Sequence, residues 1–319
     1  MTDYGFDGRK KEKDEIIFLS SMSAVAVLGY IFITKLYVKA VSYFGLKRLV
    51  AGTELAEQSF TLVVTVLSIL IPFLFVGFFE KKKAKIDLVP LDKPENPVTL
   101  LLAVPSGVAV CIAGSYVTSL ISSVFSVFGV TLTQPDVAAP PQGYALLIYL
   151  IRLTLSAAVV EEVCFRGIIM QPLRKYGNTF AIIASSFVFA AMHCNLVQAP
   201  SAFISGLGIG YFTVITGTLW TGILIHLCNN LIVAAEQYIL ATAGEEAVVL
   251  PSYIITSCAV TIGVLCLIVF FVRRKRLSPD TGRKTVLTAK EKFKAYYLTA
   301  PMLAALLIIA WLTGSFIEL

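Results

Sequence analysis

Nine stretches of this chain are apolar for about the length that crosses a lipid bilayer, and that pattern fixes the fold class. A helical crossing needs about 20 predominantly apolar residues, because in hydrocarbon every backbone N–H and C=O must be satisfied within the segment. The stretches run over 16–34, 58–79, 98–129, 144–168, 179–195, 201–217, 219–240, 251–272 and 296–316. The third is long enough to be tilted, or broken near Pro105. The sixth and seventh are parted only by Thr216-Gly217-Thr218, so eight spans is the lower count. The expected architecture is all-α: one polytopic transmembrane helical bundle, with no second domain. The composition agrees. Of 319 residues, 57% are hydrophobic and 14% charged, against about 25% charged in soluble domains. Mean hydropathy is +0.83.

The charges that remain are sorted by loop. Lys81, Lys82, Lys83, Lys85 and Lys93 follow the second stretch, Arg174 and Lys175 the fourth, and Arg273 to Arg276 with Arg283 and Lys284 the eighth. Arg9, Lys10, Lys11 and Lys13 precede the first. Segments 130–143 and 196–200 contain no Lys or Arg, and 241–250 carries only acids. Basic loops stay cytoplasmic, so the N-terminus is expected inside and the C-terminus outside. Lys35, Lys39, Lys47 and Arg48 are the exception. The net charge of +6 therefore reports orientation and not nucleic-acid binding. Ile16–Thr34 is longer than a signal-peptide core, has no small-x-small cleavage pattern at its end, and reads as a retained first span. Six cysteines (111, 164, 194, 228, 258, 266) form no C-x-x-C pair and read as buried small hydrophobes.

Ionisable residues inside a membrane segment cost about 2.5–3.5 kcal/mol each on insertion scales, so each is by default a functional candidate. Three groups stand out within about 70 residues. Glu161-Glu162 is followed by Arg166. Phe189 precedes His193 by one turn. His226 precedes Asn230 by one turn, with Asn229 as the competing amide. These contain both histidines of the chain. Glu162 and Arg166, four apart, share a face and can form an ion pair; Glu161 points about 100° away and is left for chemistry. If the fourth and fifth stretches form a hairpin at Gly177-Asn178, Glu161 and His193 lie sixteen residues either side of Gly177 and meet at one depth. His226 and Asn230 can both donate to an oxyanion. Phe189 reads as packing that orients His193, and Arg152 as a paired or snorkelling charge. Gly206-Leu-Gly208-Ile-Gly210 lacks the dinucleotide-binding spacing, while Gly206-x-x-x-Gly210 suits close helix contact.

The ordered set Glu161-Glu162-Val-Cys-Phe-Arg166, Phe189-Ala-Ala-Met-His193 and His226-Leu-Cys-Asn229-Asn230 resembles the CAAX-protease and bacteriocin-processing family of intramembrane endopeptidases, including the type II CAAX prenyl endopeptidases. The resemblance spans about 144–235 and implies a catalytic core there. It implies that Glu161 is the general base, that His193 positions the water, that His226 and Asn230 form the oxyanion hole, and that Glu162 and Arg166 brace the site. The mechanism would be metal-free and glutamate-type. A zinc metalloprotease site of Glu161, His193 and His226 is the alternative, although no H-E-x-x-H is present. Implied partners are a peptide or lipidated peptide, such as a CAAX C-terminus, a leader or a membrane-protein segment, together with membrane lipids and no nucleic acid. The expected location is the cell membrane. The rival functions are a binding or immunity factor that retains the site, and a proton-coupled transporter using the same residues as a relay.

Overall fold

The computed structural model describes residues 3–43, 53–84, 87–94, 96–134, 139–140, 142–273, 278–280 and 285–318. The chain is helical almost throughout: α1 (Asp3–Tyr43), α2 (Glu54–Ala84), α3 (Pro97–Val127), α4 (Gly143–Tyr176), α5 (Asn178–Ala191), α6 (Ala199–Thr216), α7 (Leu219–Ala243), α8 (Glu245–Arg273), α9 (Ala289–Tyr297) and α10 (Ala300–Gly314). Two residue pairs, β1 (Thr131–Leu132) and β2 (Ile317–Glu318), join antiparallel with Thr131 opposite Glu318. Of the expected loop charges, Lys47, Arg48, Lys85, Arg274 to Arg276, Arg283 and Lys284 lie outside the described residues, as does the side chain of Lys83.

Seven helices are long and apolar enough to cross a membrane. They become eight if α9 and α10, bent by 70° to each other, are one broken span. Eight is the lower of the expected counts, and the stretch that falls short of a crossing is the fifth. α5 has 14 residues, which at 1.5 Å each is about 21 Å, short of a hydrocarbon core of about 30 Å. It ends because the chain must turn before α6, and Cys194 takes up a left-handed φ of 53° in that turn. α3 runs unbroken through Pro105.

Boundaries follow local chemistry. Asn96 caps α3, its side chain accepting from the N–H of Val98 and Thr99, with Pro97 in the first turn. Thr218 caps α7 after Gly217 closes α6 at φ 72°. Thr288 and Glu291 form a capping box on α9. Gly177, at φ 121°, makes the turn between α4 and α5 at the place expected of it.

The tracing sorts the connections to two ends. The N-terminus, the α4–α5 turn and the α8–α9 segment lie together: Glu15 accepts from Lys175 and Tyr176, Arg9 donates to the Val286 carbonyl, and Asp280 accepts from Thr179. The α2–α3 and α6–α7 connections share that basic end, where the Leu219 N–H donates to the Pro90 carbonyl. β1 and β2 mark the opposite end. The interior is apolar, with Phe73, Phe165, Phe212 and Tyr296 fully buried. The outer face is apolar as well, with Leu101, Val272, Leu307 and Trp311 exposed, as suits lipid instead of water. A Cβ at Gly206 would stand 2.9 Å from Ser186 Cβ, and one at Gly210 3.2 Å from Ile182 Cγ2, so the small-residue spacing seats α6 closely on α5. Cys111 and Cys164 are buried, but Cys258 lies on the outer face, which corrects the expectation that all six are interior.

Candidate active site

α4 is not a uniform helix. Two π-helical stretches, Arg152–Ser156 and Val163–Ile169, bracket the short α segment Ala157–Glu162. Wider π turns recur at functional sites because they re-aim side chains within a continuous helix. Side-chain amides serve a carbonyl in each stretch: Asn230 donates to Leu153 O at 2.9 Å, and Gln171 to Arg166 O at 3.0 Å.

The expected Glu162–Arg166 pair is present. Arg166 Nη1 donates to Glu162 Oε1 at 2.8 Å, and both side chains are fully buried. Sequence reasoning missed the third member of this group. His226, on α7, donates from Nδ1 to the same Glu162 Oε1, also at 2.8 Å. The acid nearest to His226 along the chain is Glu236, further up the same helix; the actual partner is 64 residues away, and spacing along one helix could not reveal it. The other ring nitrogen, Nε2, faces Glu161 Oε2 at 3.8 Å, with 10% and 16% of the two side chains exposed. The neighbouring glutamates thus flank one imidazole, Glu162 sealed behind it and Glu161 on the more open side.

Phe189 gathers the remaining groups. Its ring lies edge-on to His193 at 5.1 Å and to His226 at 6.1 Å, and the Arg166 guanidinium sits 4.5 Å above it. His193 stands just beyond α5 and donates from Nδ1 to the Phe189 carbonyl at 3.0 Å; in the neutral ring this makes Nε2 the acceptor. Asn229 donates to Asn230 Oδ1 at 3.4 Å. One Nδ2 hydrogen of Asn230 is used by Leu153, and the other has no acceptor among the described residues. Arg152 lies against the Tyr149 ring at 5.2 Å, outside this constellation. Tyr30 of α1, which no sequence motif marked, lies within electrostatic reach of Glu161 and Cys194.

Behind the site, Glu162 Oε2, Arg166 Nε and Nη2, and Thr213 Oγ1 have no hydrogen-bond partner among the described residues. Gly222 is required there: a Cβ at that position would stand 2.7 Å from Thr213 Oγ1 and 3.0 Å from Glu162 Oε2. No group of three or more His, Cys, Asp or Glu side chains among the described residues is arranged to hold a metal ion. The His226 Nδ1 bond to Glu162 leaves Nε2, which faces Glu161, as the ring nitrogen that a zinc ion would take.

The family model described as type II CAAX prenyl endopeptidase Rce1-like matches residues 143–232. No curated protein and no solved structure matches the chain. The matched segment runs from the start of α4 into α7 and contains Glu161, Glu162, Arg166, Phe189, His193, His226 and Asn230.

Proposed function

We propose, on the premise that residues 143–232 are an Rce1-like domain of an integral membrane protein, that this chain is an intramembrane endopeptidase using Glu161 as its general base. One observation carries the reading: a single imidazole, His226, is held from behind by a sealed carboxylate and faces a second, more accessible carboxylate.

Glu161 takes a proton from water and the resulting hydroxide attacks the scissile carbonyl. His193, its tautomer fixed by the Phe189 carbonyl, accepts a hydrogen bond from that water through Nε2. The tetrahedral oxyanion is met by His226 Nε2–H and by the uncommitted Nδ2–H of Asn230. As the C–N bond breaks, Glu161 returns the proton to the leaving amine. For Nε2 to donate while Nδ1 donates to Glu162, the His226 ring must carry both protons. Two carboxylates, one guanidinium and one imidazolium then sum to zero charge, which limits the cost of gathering four ionised groups away from water. Glu162 and Arg166 act through His226 and do not touch substrate. No step is assigned to a metal.

The class for which the matched family is named, a prenylated CAAX C-terminus, is the first substrate to test; a leader peptide or a membrane-protein segment is the next. The experiment is cleavage of paired prenylated and unprenylated CAAX peptides by purified protein in lipid nanodiscs, beside Glu161→Gln. Cleavage by the wild type and none by the variant supports the proposal. Equal cleavage by both overturns the role of Glu161.

A further inference from the structure

At the basic end, away from the constellation just described, a cavity of about 500 Å³ opens where α1 meets the elbow between α9 and α10. Its polar lining includes Lys13 of α1 and Lys294 of α9, both exposed. Neither lysine is in an ion pair among the described residues. The one acid in the lining, Glu291, is already used: Arg9 bonds it, and it closes the α9 capping box with Thr288. The apolar lining is Ile17, Leu298 and Pro301 with their neighbours, and the first turn of α10, the positive end of its dipole, borders the same space. The 70° bend holds this wedge open.

We infer that this groove is a binding site for one anionic phospholipid. The two ammonium groups receive the phosphate, and an acyl chain lies along Ile17, Leu298 and Pro301. A free phosphate would use the lysines and leave the apolar wall bare. A zwitterionic lipid would use the wall and gain little from the lysines, whose attraction to anionic lipid is about 1 kcal/mol each near the surface. The consequence reaches the catalytic side of the molecule because α9 packs directly on α5. Phe293 and Tyr296 meet the Phe180 ring edge-on, Tyr297 meets Phe187, and the Tyr297 hydroxyl donates to the Ala184 carbonyl. A lipid that ties α1 to α9 thereby braces the helix that carries Phe189 and leads to His193.

The test is a native mass spectrometry titration of the full-length protein with phosphatidylglycerol and with phosphatidylcholine. The wild type is expected to retain one phosphatidylglycerol in preference to phosphatidylcholine. Lys13→Ala and Lys294→Ala should each weaken that preference about fivefold. Lys290→Ala, on the same helix but outside the cavity lining, should leave it unchanged, and the double Lys→Arg variant should keep it. Equal retention of the two lipids by the wild type, or an equal loss in Lys290→Ala, overturns the site in favour of diffuse surface charge. Displacement of phosphatidylglycerol by inorganic phosphate overturns the lipid assignment. Thermal unfolding in phosphatidylcholine nanodiscs should be the same for all variants; if Lys→Ala variants unfold early, the Lys→Gln pair carries the comparison.

Discussion

Glu161 and Glu162 are adjacent in the chain and opposite in circumstance, and substitutions should separate them. Glu162 accepts from both Arg166 and His226 in a fully buried setting. Glu162→Ala strands the Arg166 guanidinium, and breaking a buried pair costs about 3–5 kcal/mol; the expected result is early thermal unfolding along with lost activity. Glu161 anchors nothing at hydrogen-bonding distance among the described residues, its nearest ion-pair contact being His226 at 3.8 Å. Glu161→Gln should unfold at the wild-type temperature and lose turnover. Asn230 holds both a structural and a proposed chemical task. Asn230→Ala leaves Leu153 O without its side-chain donor, at a cost of about 1–3 kcal/mol of stability, and removes an oxyanion donor at about 2.7–4 kcal/mol of transition-state stabilisation. Folded protein with strongly reduced kcat is expected; unchanged kcat would leave Asn230 with its structural task alone.

Between elements, two close approaches position the site. Gly222 lets α7 sit against α6 and α4 where Thr213 Oγ1 and Glu162 Oε2 leave no space for a methyl group. Gly222→Ala should destabilise by roughly 1–3 kcal/mol through overpacking and shift Glu162 relative to His226, so kcat should fall further than the loss of folded protein explains. At the start of α5, the segment after α8 acts as a cap supplied from elsewhere in the chain. Asp280 accepts from the N–H of Asn178 and Thr179 and from the Thr179 hydroxyl. Partial burial pushes the Asp280 carboxyl up, but these hydrogen bonds and the nearby Lys292 ammonium outweigh it, and the net displacement is below the ordinary aspartate range. A depressed carboxyl stabilises the fold above the ordinary value of about 3.9 and loses that contribution as pH falls through the lowered one. Hydrogen exchange at Asn178 and Thr179 should therefore stay protected at neutral pH and lose protection in acid below about pH 4, whereas Asp280→Ala should be unprotected throughout.

For the whole molecule, the ion pairs at one end and the β1–β2 pairing at the other place the two termini at opposite ends of the bundle. A phosphatase fused after the C-terminus should report the side opposite to one fused at the N-terminus, with the basic end cytoplasmic by the charge rule. Reporters on the same side would contradict the tracing. The shortened α5 does not upset this order, because α5 and α6 rise and return together before α7 starts at the basic end.

The helical membrane fold, the α4–α5 turn at Gly177, the Glu162–Arg166 pair and the Gly206–Gly210 contact face are all legible in the residue order alone. Each depends on residues within a turn or two of one another, or on runs of apolar residues whose length is set by the bilayer. The order of the motifs also places Glu161, His193 and His226 in one group. Helix packing sets the rest: α5 stops short of a full crossing, His226 leans on Glu162 and faces Glu161, and Asn230 serves a carbonyl in a π-helical stretch of α4. Those outcomes depend on which helices become neighbours and at what rotation. The 3.6-residue period fixes a side chain's direction on its own helix and carries no information about the helix it will meet.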